Sequence, residues 1–290
     1  MVKKGSMKNL RDYITLTKPR LNSLAILTTL AGFYLGSSGS MNWGLLLWSL
    51  LGTTAVAGGC GTLNQWLESE ADKQMTRTHK RPLPAGRLKR AQAFWFGIGL
   101  SVVGVAVLFF FVNDLTAFLG LAALVSYVVF YTPLKKITSL CTVVGAVPGA
   151  IPPMMGWAAA QYRIGDEGWT LFAILFFWQM PHFLSIGWMY RDDYARAGFP
   201  MLAVIDPKGE STGLMAVIYA VALLPVSLLP THFHMAGRVY FWIALVLSSA
   251  FLFYSCRMAW KRTLYNARGL FWFSITYLPI LFLVMVLDKA

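Results

Sequence analysis

Asn64, Glu68 and Asp72 follow one another at intervals of four residues. On an α-helix each such step falls about 40° short of a full turn, so the three side chains share one face. An amide oxygen and two carboxylates on one stripe make a hard-oxygen site. Mg2+ prefers a few carboxylates combined with a ligand's phosphate oxygens to a cage built wholly of protein. Arg77 and Arg81 come soon after, and guanidinium groups pair with free phosphate oxygens. Acid beside base therefore suits a metal–diphosphate ligand. A plainer reading of the same stretch is a solvated helix end with surface ion pairs. The density of charge on so apolar a chain favours chemistry.

A second charged stretch reads Arg191-Asp192-Asp193-Tyr194-Ala195-Arg196, then Gly198 and Pro200. It too follows an apolar run, and it suggests two opposed helix ends offering acid to one diphosphate. Tyr131-Thr132-Pro133-Leu134-Lys135-Lys136 adds cations between two other apolar runs.

These segments need elements to hold them, and composition says which. The chain has 290 residues, 57% of them hydrophobic and 13% charged. Soluble domains carry roughly 25% charged residues. Apolar runs such as 94–112 and 271–287 are close to the roughly 20 residues that cross a bilayer. The expected fold is all-α: a polytopic membrane helix bundle of nine transmembrane helices. The expected spans are 20–36, 42–63, 92–112, 115–131, 140–160, 169–190, 212–230, 238–256 and 269–287. Residues 1–19 read as a cytoplasmic N-terminal segment and 20–290 as a single membrane domain.

Charge orients this bundle. All Lys and Arg except Arg163, Arg238 and Lys289 fall in the N-terminus or in alternate loops, which places those loops and the N-terminus in the cytoplasm and the C-terminus outside. The formal net charge of +13 thus speaks for membrane orientation and anionic ligands, not nucleic acid. No cleavable signal or long transit segment is expected at the basic N-terminus, which suits a bacterial inner membrane. Cys60, Cys141 and Cys256 form no CxxC pair and read as small buried apolar residues. Trp43, Trp169, Trp260 and Trp272 read as interface anchors, and His232 and His234 as a short outer loop.

Pro148, Pro152 and Pro153 lie in one span, which is expected to depart from an ideal helix there. Pro181 and His182 lie in the next. His182 is the ionisable residue deepest in a span, and such residues are functional candidates by default.

The chain resembles the UbiA-type membrane prenyltransferases, and within them the branch that acts on heme. The strings that carry the resemblance are Asn64-x3-Glu68-x3-Asp72-x2-Met75-x-Arg77-Thr78-x2-Arg81-Pro82-Leu83 and Tyr131-Thr132-x-Leu134-Lys135. Further on come Pro148-Gly149-Ala150-x-Pro152-Pro153, Trp178-Gln179-x-Pro181-His182-Phe183 and Tyr190-x2-Asp193-Tyr194-x2-Ala197-Gly198-x-Pro200-Met201. The wider family carries a carboxylate four residues after the position of Asp193, where this chain has Ala197.

The resemblance implies a helix bundle around a central cavity, dependence on Mg2+, and transfer of farnesyl from farnesyl diphosphate to heme B, giving heme O. It assigns Asn64, Glu68, Asp72 and Asp193 to catalysis and the metal. Arg77, Arg81, Lys135 and Arg191 go to the diphosphate. His182 reads either as an axial ligand to heme iron or as a histidine bonded to a neighbouring helix. The implied partners are the lipid bilayer and a downstream heme-modifying enzyme or terminal oxidase. A prenyltransferase for another aromatic acceptor, such as a quinone precursor, and a secondary transporter are the alternatives.

Overall fold

The computed structural model describes residues 3–290, with side chains from Leu10 onward. The basic side chains of Lys3, Lys4 and Lys8 therefore lie outside the described ones. The described residues are helical almost throughout: α1 (Lys3–Leu16), α2 (Pro19–Gly36), α3 (Trp43–Gln74), α4 (Arg90–Phe111) and α5 (Asp114–Val125). α5 runs through a π-helical stretch (Ser126–Tyr131) into α6 (Thr132–Leu134). Then follow α7 (Cys141–Gln161), α8 (Gly165–Met189), α9 (Arg191–Arg196), α10 (Leu202–Ile205), α11 (Glu210–Val226), α12 (Leu229–His232), α13 (Arg238–Trp260) and α14 (Leu264–Leu287).

Local chemistry sets several starts. Asn42, Asn113 and Thr263 each accept a backbone N–H of the first turn of α3, α5 and α14, satisfying donors that have no partner inside the helix.

Among the described residues, eight helical segments are long and apolar enough to span a bilayer, so the chain is a multi-pass membrane protein. The ninth expected span, α2, has the length, with 18 residues rising about 27 Å. It falls short in hydropathy because it carries Arg20, Asn22, Ser23, Thr28 and Thr29. Arg20 and Ser23 are exposed, Asn22 and Thr28 line a cavity, and Thr29 is packed against α7. A Cβ on Gly32 would lie 2.0 Å from the Pro153 carbonyl oxygen, and one on Gly156 would lie 2.0 Å from the Thr29 carbonyl oxygen. Only glycine lets α2 and α7 approach this closely. Thr29 Oγ donates to the Pro152 carbonyl across that contact at 3.0 Å.

α7 corrects an expectation. It runs unbroken from Cys141 to Gln161 with Pro148, Pro152 and Pro153 inside it. All three prolines are buried, so the altered stretch packs against protein as a bilayer requires.

Helices α2 to α7 pack as one half of the bundle, and α8, α11, α13 and α14 as the other; α7 against α8 and α2 against α14 join them. A cavity of about 370 Å3 lies within the first half, lined by α2, α3, α5 with its π-helical extension and α7, and α8 of the other half completes its wall. Trp43, Trp169, Trp260 and Trp272 are exposed on the outer surface.

Candidate active site

α3 outlasts the apolar part of its span. Its last turns bring Asn64, Glu68 and Asp72 into the cavity wall on one face, as the spacing requires. All three are buried, and each has a different partner. Lys18 Nζ donates to Asn64 Oδ1 at 2.5 Å, and Asn64 Nδ2 donates to Thr132 Oγ at 3.0 Å. Lys135 Nζ donates to Glu68 Oε1 at 2.8 Å. Arg81 Nη1 donates to Asp72 Oδ2 at 2.7 Å, while Asp72 Oδ1 is buried with no partner among the described residues.

The π-helical stretch in front of α6 accounts for the placement of Thr132 and Lys135. A widened turn of this kind re-aims the side chains beyond it. Tyr127, Tyr131 and Lys135 all line the cavity. The Tyr131 ring fits because residue 145 is glycine: a Cβ there would lie 2.5 Å from the ring. Lys135 Nζ lies 5.0 Å from the centre of that ring. Burial acts to lower the Lys135 amine, but the Glu68 charge together with the Tyr131, Tyr194 and Tyr127 hydroxyls outweighs it and holds the amine well above its ordinary value.

Lys18 was not singled out by sequence reasoning beyond its charge. It occupies a left-handed backbone conformation (φ 51°) directly before α2, which aims its amine at the stripe on α3. Burial, with the Arg81 and Lys135 charges adding to it, pulls this amine down to about 7. The one local signal was a lysine before a proline, which marks a helix start and says nothing of a contact 46 residues away.

The second charged stretch behaves differently from its expectation. Asp193 Oδ1 accepts from Thr76 Oγ at 2.8 Å and from Arg196 Nη2. Burial acts to raise its carboxyl, but bonds from the Thr76 hydroxyl and the Thr76 and Arg77 backbone N–H groups, with the Arg196 charge, hold it below the usual range. It therefore fastens the loop after α3, and it is not among the residues lining the cavity. Arg191 also stays outside. Its guanidinium lies 4.7 Å from the centre of the Trp188 ring and 3.8 Å from Asp192. Arg191 stands two residues before Asp193 in α9, and such a pair on a helix points about 200° apart. Arg77 does line the cavity, where its guanidinium lies 3.5 Å from the Tyr194 hydroxyl and 5.3 Å from the centre of the Tyr190 ring.

His182 lines the same cavity. Its ring is sandwiched between Trp178 (centroids 5.1 Å apart, 16° between planes) and Phe271 (5.3 Å, 20°). Its Nδ1 lies 2.7 Å from Ser274 Oγ, and Trp178 Nε1 donates to the Ser274 carbonyl at 2.8 Å. Ser274 and Trp178 were not expected to be part of the site. One turn along, Gln179 Nε2 donates to the Ala146 carbonyl at 2.6 Å, beside Gly149, where a Cβ would lie 2.3 Å from Gln179 Oε1.

Among the described residues, no three His, Cys, Asp or Glu side chains converge as a ready-made metal cage. The donor set fits a metal shared with a ligand. The two carboxylates and the Asn64 oxygen face one space, and a buried carboxylate oxygen without a partner, here Asp72 Oδ1, is costly unless something fills its place. The arrangement can take a cation bound to an anion, with Lys18, Arg77, Arg81 and Lys135 around it.

Residues 25–283 match the UbiA prenyltransferase family. The chain is 47% identical to a protoheme IX farnesyltransferase from Solibacter usitatus, covering 97% of this chain and 99% of that one. It is 44% identical to the protein of the same name from Myxococcus xanthus, covering 96% and 95%. Its fold is similar to that of a digeranylgeranylglyceryl phosphate synthase (TM-score 0.82, 16% identity, covering 97% of this chain and 98% of that one). It is also similar to that of a UbiA homolog from Archaeoglobus fulgidus bound to GPP and Mg2+ (TM-score 0.63, 17% identity, covering 94% and 99%). An acid stripe and a cluster of cations at one end of a helix bundle, over an apolar cavity, thus have their place: the chain belongs to the UbiA prenyltransferase family.

Proposed function

We propose that this chain transfers the farnesyl group of farnesyl diphosphate to a vinyl group of heme B, with addition of water, giving heme O and diphosphate. The observation that carries the reading is the joint lining of one cavity by the Asn64–Glu68–Asp72 stripe and by His182 with its aromatic neighbours. The names of the relatives support the pair of substrates. The transporter alternative loses ground because the acids crowd one helix end and not the middle of the bundle.

Asn64, Glu68 and Asp72 are the residues that would hold Mg2+, which when bound neutralises charge on the leaving diphosphate. Arg77, Arg81, Lys135 and Lys18 bind the remaining diphosphate oxygens. Asp193 acts at one remove, by fixing the loop that carries Arg77. The farnesyl chain lies along the apolar wall, formed in part by Val56, Met155 and Leu175, where water is kept from the allylic cation. The bond between farnesyl C1 and the diphosphate oxygen breaks with both electrons leaving on oxygen. The heme vinyl π electrons form the new C–C bond. Water then adds to the resulting cation beside the porphyrin and loses a proton, leaving a hydroxyl group. No protein nucleophile takes part. His182 ligates the heme iron and so sets which porphyrin edge meets the allylic carbon.

The setting is a bacterial inner membrane, with the charged end of the cavity on the cytoplasmic side. Residues 1–19 form a cytoplasmic segment and 20–290 one catalytic unit; the product passes to a further heme-modifying enzyme or to a terminal oxidase. Mass spectrometry of heme extracted from cells expressing the chain tests the proposal. Heme O should accumulate with the wild type and vanish with Glu68→Gln or Asp72→Asn. Unaltered heme B in all three would refute it.

A further inference from the structure

The hydrogen bonds around His182 fix more than its position. Ser274 is fully buried, and its Oγ has two short contacts: 2.6 Å to the Phe271 carbonyl oxygen and 2.7 Å to His182 Nδ1. A serine hydroxyl has one proton. Two oxygens at 2.6 Å share a proton; without one, two sets of lone pairs would face each other. The Ser274 proton therefore goes to Phe271, a donation back along its own helix that serine commonly makes. Toward His182, Ser274 Oγ is left only as an acceptor, and Nδ1 must carry the hydrogen.

In the neutral ring the other nitrogen, Nε2, then holds a lone pair. Among the described residues Nε2 has no hydrogen-bond partner, and it is not one of the buried polar atoms. The residue itself lines the cavity. Trp178 and Phe271 lie nearly parallel on the two faces of the ring and leave it little freedom to turn. Trp178 in turn donates to the Ser274 backbone carbonyl, which ties the same stretch of α14 to α8. The arrangement is that of a histidine prepared as a metal ligand, in which a bond at one nitrogen selects the tautomer and aims the other.

We propose that Ser274 is a positioning residue that holds His182 in its Nδ1–H tautomer, so that Nε2 offers a lone pair to the iron of a porphyrin in the cavity. This rests on the reading of His182 as the heme ligand. It goes further in two ways. It assigns the ligating atom, and it makes recognition at this end of the cavity depend on the porphyrin's metal as well as on its shape.

The test uses the full chain in lipid nanodiscs, titrated with ferric heme B, with metal-free protoporphyrin IX and with farnesyl diphosphate. Ser274→Ala should weaken heme binding about 10- to 100-fold and shift the Soret band. It should leave the affinities for protoporphyrin IX and farnesyl diphosphate within about twofold, the precision expected of a site left untouched. Ser274→Thr, which keeps the hydroxyl, should restore both heme affinity and spectrum. If His182→Ala loses the iron-ligand spectrum while Ser274→Ala keeps the wild-type affinity and band, the tautomer assignment fails and the His182 reading stands. If His182→Ala leaves the heme spectrum unchanged, the underlying reading fails and the proposal with it. Equal weakening of heme and protoporphyrin IX by Ser274→Ala would show a packing role only and overturn the proposal.

Discussion

Arg81 holds one oxygen of Asp72 at 2.7 Å and leaves the other, Oδ1, buried without a partner among the described residues. A carboxylate fully removed from solvent is ordinarily bonded at both oxygens. The half-satisfied state makes sense if the free oxygen belongs to a ligand, and it identifies Asp72 as the most sensitive member of the stripe. Asp72→Asn keeps the shape and removes the charge. Farnesyl transfer should fall on the order of 100-fold or more, the scale on which a single electrostatic contact to a developing anion acts. Folding, checked by size-exclusion profile and thermal unfolding in detergent, should be retained.

Glu68 and Lys135 form a buried ion pair, and removing one partner of such a pair costs about 3–5 kcal/mol because the other is left uncompensated. Lys135→Met should therefore lower the unfolding temperature markedly. Adding Glu68→Gln to it should recover most of that stability without recovering activity. A double variant no more stable than Lys135→Met would show that the two charges are not coupled.

Lys18 gives a pH dependence whose sign is fixed. Its amine titrates near 7 in the folded chain and at 10.5 ordinarily. Between those values the unfolded chain binds the extra proton, so raising the pH favours the folded state. The cost of the buried cation is fully present below about 7 and relieved as pH approaches 10.5. Thermal unfolding of the wild type should shift upward over this window relative to Lys18→Met, whose profile should be flatter. Parallel profiles would contradict the assignment.

Gly156 tests the scaffold. A methyl group there meets a backbone oxygen at 2.0 Å, which cannot swing aside as a side chain can. Gly156→Ala should destabilise the bundle by about 1–3 kcal/mol, as overpacking does, and separate α2 from α7. Both helices line the cavity, so substrate affinity should fall as well. Substrate affinity equal to that of the wild type would show that the cavity does not depend on this crossing.

The parts of the site readable in the sequence are the local ones. Asn64, Glu68 and Asp72 declare themselves because helical spacing alone puts them together, and Lys135 because it ends an apolar run on the same side. Lys18, Thr132 and Ser274 are joined to the site across distant stretches of chain, and nothing near them in sequence marks the contact. Arg191, beside an acidic residue in sequence, lies at Trp188 and Asp192 and does not line the cavity. The prolines of α7 read as a break, but buried packing keeps the helix whole. α2 has the length of a span, but Arg20, Asn22, Ser23, Thr28 and Thr29 lower its hydropathy; of these, Asn22 and Thr28 line the cavity and Thr29 bonds to α7.

The central claim is that the stripe on α3 binds a diphosphate together with a divalent cation. The most direct measurement is the affinity of the purified chain for farnesyl diphosphate, titrated with Mg2+ present and again with the cation chelated. Tight binding that needs Mg2+ and is lost in Asp72→Asn is the predicted result. Binding of equal strength with and without Mg2+, or binding untouched by Asp72→Asn, would contradict it.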